Sequence, residues 1–552
     1  MKVFATNQFI PDLDESSDKK ALYGAWVATS DFYKNLIRLG NFDEYHFFVR
    51  PQKSDNKKRS LITEKIPYAN NEKVRIESYS QLPLFLKNAK DIIFFSSTPA
   101  IFKMVHLRGV YAKKYFPICG LTHTVSYANL LNRVFFQNML SDSQPFDAII
   151  CTSKSVLQSV RKINKFIRKI LSRELSVSLN FKARLEHLPL GINPQDYIKN
   201  NKNESRKVLR LPEKKIIILY FGRFSILDKA DLYPLLFVFK SLLGKNKNIF
   251  LVLAGQIFSG DYGQKVKKMA NEMGIFKHTR FFFNPSQEQK YLLYAASDIF
   301  VSPSDNPQES FGLTVLEAMA SGLPCIVSDW DGYKDTVMHN KTGFLIPTYW
   351  AKCDQEIANH SYLFGGSYSQ EGFLLGQSVC IDIRKMVDYL SILIKRKELR
   401  LRFGHNARER ILKDYDWSTL IPKYEAFWDR LSDRAKVYKA YPRKAPIFYP
   451  QYFKFFNHYP SYILNKKTHI TITEEGVRFL KTREFPPGLK SVNLIRPQII
   501  FLIFFYLKER HILSIERVEP YINKFFKDVD TQIINYHIMW MLKNYLLAVI
   551  PR

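Results

Sequence analysis

Two cations and two carboxylates in the second half of the chain have the types and spacing to act on phosphates and hydroxyl groups. Arg223 follows an apolar run and Gly222, and Lys229 comes six residues later. Arginine presents a planar fork of donors and lysine a point charge, so this pair can neutralise a diphosphate. The alternative, two solvated surface cations, fits a polar helix face better than the end of a buried strand. Glu309 and Glu317 are separated by seven residues, and carboxylate oxygens accept strongly from neighbouring hydroxyls.

The stretch 302–347 must position the two carboxylates. Apolar runs at 298–301 and 324–327 predict two strands, with Ser-Pro and Asn-Pro turns after the first and a helix from about residue 313 between them. The loop carries Glu309 to the mouth of this unit, and the helix carries Glu317. Where parallel strands end and helices begin, free N–H groups and the positive end of the helix dipole converge. The unit therefore predicts a phosphate site.

Strand and helix patterns alternate along most of the chain. The predicted strands are 2–5, 45–49, 91–96, 116–119, 146–151, 215–223, 249–255, 279–284 and 298–302, and the predicted helices include 31–39, 99–106, 230–243 and 420–431. Lys229 is expected to open the helix 230–243. Alternation of this kind indicates an α/β protein with parallel sheets covered by helices on both faces.

Composition limits the class of protein. The 552 residues are 46% hydrophobic, which predicts two or three folded domains. Five scattered cysteines without C-x-x-C spacing indicate a reducing compartment. No secretory signal is recognised. The apolar runs at 499–507 and 538–550 fall short of the roughly 20 residues that span a bilayer. We therefore predict a cytoplasmic protein. The net charge of +31 calls for an anionic partner: nucleic acid, lipid headgroups or nucleotide phosphates.

Glu309 and Glu317 stand within the sequence ESFGLTVLEAMASGLP. This stretch resembles the E-x7-E motif of the retaining glycosyltransferases of the GT-B fold, most closely glycosyltransferase family 4. The resemblance is most specific over 215–347 and implies two Rossmann-like parallel-sheet domains facing across a cleft. It places an N-terminal acceptor domain at 1–194 and a donor domain with a cross-over helix at 195–433. Residues 434–552 are an additional basic, aromatic-rich and mostly helical region that the family does not explain.

The resemblance also implies roles for single residues. It gives catalytic roles to Glu309 on the sugar hydroxyls, to His123 near the donor sugar, and to Arg223 and Lys229 on the diphosphate. Taken alone, His123 could equally be a structural residue after a strand. The implied donor-binding residues are Glu317 on the ribose, Phe311, Gly312 and Leu313 at the helix start, Gly222 in the turn, Asn284 beside the nucleobase, and Gly24 in the N-terminal loop. In two departures, Ala230 replaces the family's glycine after the lysine, and Gly24 alone represents the glycine-rich loop.

The resemblance implies a reaction: transfer of a hexosyl or N-acetylhexosaminyl group from a nucleotide sugar to a glycan, lipid-linked or protein acceptor, with retention of configuration. The leaving phosphate would help to deprotonate the acceptor. No cofactor and no metal are expected. The D-x-D stretches 329–331 and 528–530 have the form of metal sites, but the two cations already perform an ion's task.

Two alternatives remain open. The first is a phosphorylase or synthase on the same fold. The second is a nucleic-acid-binding protein, which the net charge and the aromatic, basic C-terminal region would suit; residues 473–476 there resemble the wing of a winged helix. A pure binding module has no reason to keep the two cations and two carboxylates together, so no nucleic-acid partner is expected.

One basic helix has no role in the resemblance. The stretch 161–173 predicts an amphipathic helix with Ile163, Phe166, Ile167, Ile170 and Leu171 on one face and Lys162, Lys165, Arg168, Lys169 and Arg173 on the other. It is either an ordinary surface helix or a helix that makes peripheral contact with an anionic membrane.

Overall fold

The computed structural model describes residues 1–11, 24–49, 71–88, 90–128, 130–198, 200–257, 260–364, 368–439, 452–484, 495–526 and 529–550. The chain divides into two compact units, Met1–Pro446 and Ile447–Arg552. The predicted boundaries at residues 194 and 433 stay predictions. Asp528, the first residue of the D-x-D stretch 528–530, lies outside the described residues.

The first unit begins with a seven-stranded parallel sheet. Its strands are β1 (Val3–Thr6), β2 (Glu44–Val49), β3 (Val74–Ser78), β4 (Ile92–Ser96), β5 (Ile118–Leu121), β6 (Ala148–Cys151) and β7 (Arg184–His187), in the order β3-β2-β1-β4-β5-β6-β7. Its helices are α1 (Gly24–Leu39), α2 (Leu82–Asn88), α3 (Phe102–Tyr111), α4 (Phe136–Leu140) and α5 (Lys154–Leu175). Single turns lie at Asn71–Lys73, Tyr79–Gln81, Leu130–Phe135 and Pro194–Tyr197.

A second parallel sheet follows in the same unit. Its strands are β8 (Ile216–Phe221), β9 (Ile249–Gly255), β10 (Thr279–Phe283), β11 (Ile299–Ser302), β12 (Cys325–Ser328) and β13 (Gly343–Ile346), in the order β10-β9-β8-β11-β12-β13. Its helices are α6 (Lys202–Val208), α7 (Tyr233–Lys245), α8 (Tyr262–Glu272), α9 (Gln287–Ala296), α10 (Leu313–Ala320) and α11 (Tyr333–Thr336), with a turn at Phe276–His278. All seven residues of β9, IFLVLAG, are buried, as expected for a parallel strand covered on both faces.

The rest of the first unit consists of a pair of antiparallel strands and five helices. The strands β14 (Thr348–Trp350) and β15 (Val379–Ile381) are antiparallel, and the helices are α12 (Asp354–Phe364), α13 (Tyr368–Gln377), α14 (Ile383–Lys395), α15 (Lys397–Asp414) and α16 (Trp417–Lys436). Helix α16 returns to the first sheet: the ring of Trp428 lies 5.7 Å from that of Phe4 in β1. Its first residue, Trp417, donates from Nε1 to Asp31 Oδ2 of α1 at 2.5 Å. The helix therefore packs against the first sheet, and its role as the cross-over helix stays a prediction.

Several predicted elements need correction. The helix after Lys229 begins at Tyr233 and not at residue 230, because Pro234 fits only the first turn of a helix; Lys229 thus lies in the preceding loop. The edge strands β3 and β7 of the first sheet were missed. Their sequences, VRIES and RLEH, are only partly buried, and such short strands lack the continuous apolar run by which the other strands were recognised.

Helix α5 was predicted with one error. Val156, Val160, Ile167 and Leu171 are buried, so the apolar face packs against the first sheet. Phe166, predicted on that face, is 64% exposed. It lies one position before the buried Ile167, about 100° around the helix, and so falls off the stripe.

The second unit has its own small core. It contains α17 (Tyr452–Phe456), β16 (His469–Ile472), α18 (Glu474–Thr482), α19 (Pro497–Arg510), β17 (Ile512–Ser514), α20 (Ile515–Phe525), α21 (Thr531–Lys543) and β18 (Leu547–Ile550), with an antiparallel sheet in the order β17-β16-β18. The described part is folded and mostly helical, as predicted. Thr473 Oγ1 accepts from Gly476 N and caps α18, so residues 473–476 begin a helix and are not the tip of a β-hairpin.

Two further findings bear on the sequence predictions. Within the described residues, no helix combines the length and the apolar character needed to cross a membrane. All five cysteines are free, with Cys119, Cys151 and Cys325 buried.

Candidate active site

Glu309 and Lys229 form a nearly buried ion pair at the carboxyl end of the second sheet. Lys229 Nζ donates to Glu309 Oε2, and the two side chains are 10% and 11% exposed. Tyr333 OH donates to the same carboxylate oxygen at 3.2 Å. Burial by itself would raise the pKa of Glu309, but the Lys229 ammonium and the two hydrogen bonds hold that pKa below its usual value. Glu309 is therefore an anion at neutral pH.

Gly222 makes room for the Lys229 side chain. A Cβ added at Gly222 would lie 2.7 Å from Tyr220 Oη and 3.1 Å from Lys229 Cε, and one added at Gly255 would meet the carbonyl oxygen of Gly222 at 1.7 Å. Gly222 thus leaves room for the lysine stem, and Gly255 lets the backbones at the ends of β8 and β9 lie close together. Arg223 follows directly and donates from Nη1 to Asp228 Oδ2 at 2.6 Å.

Helix α10 begins beside this ion pair. Its N-cap, Gly312, has a φ of +93°, and an added Cβ would meet the Tyr333 ring at 2.4 Å. Only glycine combines this backbone conformation with so close an approach. Phe311 is buried against Tyr415, and Leu313 is the first helical residue. The first turn of α10 therefore presents its backbone N–H groups without a capping side chain.

Glu317 lies one turn into α10 and is enclosed by three other side chains. Its carboxylate accepts from Tyr294 OH at 2.8 Å, Lys290 Nζ at 2.8 Å and Tyr197 OH at 3.0 Å. Burial opposes the charged form of Lys290, yet the Glu317 carboxylate raises its pKa above the usual value. Both glutamates of the motif are thus paired with a lysine.

His123 approaches from the first sheet, just beyond the end of β5. Its carbonyl oxygen accepts from Ser310 Oγ, and its Nε2 lies 3.2 Å from Thr29 Oγ1. Burial lowers the pKa of His123 to about 4, against a weaker opposing hydrogen bond to Ser97. The imidazole is therefore neutral at physiological pH, and Ser310 ties the backbone of His123 to the residue that follows Glu309.

More contacts join the carboxyl ends of the two sheets. Thr124 Oγ1 lies 2.6 Å from Gln308 Oε1, and Lys154 N donates to Asp335 Oδ2 at 2.5 Å. The loops after β5 and β6 therefore touch those after β11 and β12. This arrangement places the backbone of the sequence-predicted His123 beside Ser310, the residue that follows Glu309, and Lys229 pairs with Glu309 directly.

Two predicted residues lie further out. Asn284 ends β10 with a φ of +52°, is exposed, and its Oδ1 accepts from Ile257 N at 2.9 Å. Gly24 is the first residue of α1, and a Cβ added there would meet nothing within 4 Å. No steric reason for glycine is visible at position 24, and both assignments stay predictions.

The acidic residues around the ion pair do not form a metal cluster. Across the described ranges, no group of three or more His, Cys, Asp or Glu side chains could hold an ion. Asp329 lies 3.8 Å from Lys334 Nζ. Burial raises the pKa of Asp331 well above its usual value, with help from Glu309 and Asp335, and burial raises that of Asp305 to about 7.

Sequence reasoning missed Tyr333 beside Glu309 and all three side chains around Glu317. Lys290 and Tyr294 are four residues apart on α9, so they share one face, and this spacing could have marked them as a pair. Tyr197 and Tyr333 come from a turn and a four-residue helix. Nothing local in the sequence connects those two tyrosines to Glu317 and Glu309.

Comparisons with known proteins can now be set beside this geometry. Residues 201–359 match the family model "Glycosyl transferases group 1". One relative, the GDP-mannose-dependent alpha-(1-6)-phosphatidylinositol monomannoside mannosyltransferase of Mycobacterium tuberculosis, is 23% identical over 44% of this chain and 56% of its own length. The lipopolysaccharide 1,2-N-acetylglucosaminetransferase of Salmonella typhimurium is 30% identical over 29% of this chain and 43% of its own. The chain thus spans about half the length of these relatives.

A solved structure, Anabaena HepE in complex with UDP, superimposes with a TM-score of 0.53 at 14% identity, covering 78% of this chain and 100% of that one. At this identity the likeness concerns the fold, and it confirms the two Rossmann-like parallel sheets. The resemblance seen in the sequence is confirmed as well. Residues 201–359 of this chain are thus similar to the glycosyl transferases group 1 family, glycosyltransferase family 4, and the two parallel sheets resemble a GT-B fold.

Proposed function

We propose that the protein is a retaining, metal-independent glycosyltransferase that moves a hexosyl or N-acetylhexosaminyl group from a nucleotide sugar to a glycan, lipid-linked or protein acceptor. The observation that carries the proposal is the Lys229–Glu309 pair next to the uncapped start of α10, with the backbone of His123, from the other sheet, hydrogen-bonded to the adjacent Ser310. A cation, a field of N–H groups and a carboxylate at one place suit a diphosphate joined to a sugar.

In this mechanism Lys229 and Arg223 neutralise the charge that develops on the leaving diphosphate. The N–H groups at the start of α10, near Phe311, Gly312 and Leu313, add their field. Glu309 accepts from the sugar hydroxyls, Glu317 from the ribose, and Asn284 and Gly24 border the donor. The neutral imidazole of His123 contributes hydrogen bonding near the sugar and no charge.

The two glutamates do not act as the acid and base of a glycosidase. A general acid of that kind needs a raised pKa, whereas the pKa of Glu309 is lowered and Glu317 is paired with Lys290. Glu309 therefore has no proton to give at neutral pH. This supports a front-face substitution in which the leaving phosphate takes the proton of the acceptor hydroxyl and the configuration is retained.

The relatives and the net charge of the chain support a lipid-linked acceptor at a membrane surface. One relative acts on a phosphatidylinositol mannoside and another on lipopolysaccharide, which supports a lipid-linked acceptor. The net charge of +31 and the exposed basic face of α5 support peripheral contact with an anionic membrane surface on the cytoplasmic side.

A thermal-shift screen of UDP-, GDP- and ADP-sugars on the full chain tests the donor, since ligands that bind only the folded state raise its Tm. One class of donor should raise the Tm, and the shift should be lost in Lys229→Met. A transfer assay with that donor and lipid-linked acceptors, analysed for the anomeric configuration of the product, then tests the reaction. Absence of any shift with all three donor classes, or an inverted product, contradicts the proposal.

A further inference from the structure

A second concave site lies beside α5, on the flank that faces β7. It is a cavity of ≈ 290 Å³ between this helix and the segment that leads into β7. The residues that line it and bear on its chemistry are Arg161, Asn164, Lys165, Arg168, Asn180 and Phe181. Nothing in the proposed transfer reaction uses them.

The cavity is separate from the candidate active site. Helix α5 begins at Lys154, whose N–H donates to Asp335 at the meeting of the two sheets. Since an α-helix rises 1.5 Å per residue, Arg161 and Arg168 lie roughly 10 and 21 Å further along. The cavity also includes Leu185 near the amino end of β7, whereas the candidate active site gathers at the carboxyl ends of the strands.

The cavity carries three cations on one helix face. Arg161, Lys165 and Arg168 follow the spacing i, i+4, i+7, which places them side by side. In the described part of the chain, none of the three has a carboxylate within 4.0 Å, and Arg168 Nη1 donates to Asn180 Oδ1 at 3.3 Å. Neighbouring like charges repel one another, so an anion between them would be stabilised by all three.

The cavity also contains an unsatisfied amide. Asn164 sits between Arg161 and Lys165, and both its side-chain nitrogen and its oxygen are buried without a hydrogen-bond partner. Leaving such buried groups unpaired is energetically unfavourable. A hydroxyl group can satisfy both, because it accepts from the amide nitrogen and donates to the amide oxygen.

We propose that this cavity binds a phosphate group carried on a small hydroxylated body, such as a polyol or sugar phosphate. Two arginines supply forks that match phosphate oxygens, Lys165 adds a point charge, and Asn164 contacts a hydroxyl of the same ligand. The volume lies at the small end of ligand pockets, which run from about 300 to 1,000 Å³. This phosphate is either free in solution or part of a lipid headgroup, and the experiment separates the two sources.

The first measurement is calorimetric titration of the full chain with glycerol 3-phosphate, inorganic phosphate and glycerol. The two phosphates should bind and glycerol should not. Lys165→Gln with Arg168→Gln should weaken both phosphates by ~10-fold or more. Asn164→Leu should weaken glycerol 3-phosphate and leave inorganic phosphate unchanged, which a purely structural role of Asn164 would not produce.

Two controls make the result specific. Lys162→Gln with Lys169→Gln removes the same charge from the same helix outside the cavity, and it should leave phosphate affinity within about twofold. Lys229→Met should also leave it unchanged, so that failure of the proposed donor site and failure of this site are distinguishable. Circular dichroism checks the fold of each variant. No binding by the wild-type chain, or equal loss in both double variants, overturns the proposal.

Vesicles identify the source of the phosphate. Vesicles of phosphatidic acid present a terminal phosphate, and phosphatidylserine vesicles of matched surface charge do not. If the headgroup is the ligand, Lys165→Gln with Arg168→Gln should weaken binding to phosphatidic acid more than Lys162→Gln with Lys169→Gln does, with no such difference on phosphatidylserine. If a free phosphate is the ligand, the two double variants should behave alike on both vesicles while their calorimetric affinities still differ.

Discussion

The cations of the candidate active site and those of helix α5 meet opposite conditions. Lys229, Lys290 and Arg223 are largely buried, and each has a carboxylate partner. Lys162, Lys165, Arg168 and Lys169 on α5 are exposed and have no such partner within the described residues, whereas Arg173 pairs with the neighbouring Glu174. A buried charge must be paired because desolvation is costly, whereas water itself stabilises an exposed one. Paired cations can therefore be held in place for chemistry, and unpaired ones supply a field that attracts anions.

The largest effect is expected when a buried ion pair of the candidate active site is disrupted. Lys229→Met keeps the length of the side chain and removes the charge beside Glu309. Loss of one charged contact to a transition state costs about 2–4 kcal/mol, so kcat should fall ~30- to 1,000-fold in a transfer assay. Lys265→Met, which removes an exposed pair with Asp261, is the matched control and should leave kcat unchanged. Wild-type turnover in Lys229→Met would contradict the donor-site proposal.

The role of the exposed cations of α5 is tested by binding to vesicles at two salt concentrations. Changing Lys162, Lys165, Arg168 and Lys169 to Gln should weaken binding to anionic vesicles, because each cation near the surface contributes about 1 kcal/mol. The wild-type affinity should fall as salt rises, since exposed charges are screened. Flotation or sedimentation assays measure both. Donor affinity should stay unchanged, and vesicle binding by the variant equal to that of the wild type would show that the charge of α5 serves another purpose.

A smaller effect is expected at Asp31, a buried carboxylate that accepts hydrogen bonds. It accepts from Trp417 Nε1 and Asn35 Nδ2, and burial raises its pKa from 3.8 to about 6. Because the folded pKa is the higher one, the stabilisation by the bound proton is present below pH ~4 and is lost as the pH rises through 6. Asp31→Asn keeps the bond to Trp417 and should raise stability by ~1–3 kcal/mol at pH 7 but not at pH 4. Thermal unfolding of both proteins from pH 4 to 8 measures this; an equal difference at every pH would contradict the raised pKa.

The smallest expected effect is that of chelation. If Lys229 and Arg223 neutralise the leaving diphosphate, EDTA should leave the transfer rate within experimental error. Complete loss of activity that Mn²⁺ or Mg²⁺ restores would show that Asp329 and Asp331 bind an ion with the donor.

The local sequence was sufficient to predict a strand, helix or site residue where the whole motif lies within one strand–turn–helix unit. The continuous apolar runs predicted β8, β9, β11 and β12, and the spacing of Glu309 and Glu317 placed them in a loop and in helix α10. Gly312 and Gly222 were predicted for the donor site, and the structure adds the steric reason for glycine at each. Such features depend on contacts within one strand–turn–helix unit, which the order of residues already specifies.

Only the tertiary structure decided which side chains surround those residues. The pairing of Lys229 with Glu309 spans 80 positions, and that of Ser310 with His123 spans 187. The exposure of Phe166 and the unpaired cations along α5 likewise depend on how the helix packs against the first sheet. Periodicity determines which residues share a face, but burial, and with it every pKa shift and ion pair described above, depends on what packs against that face.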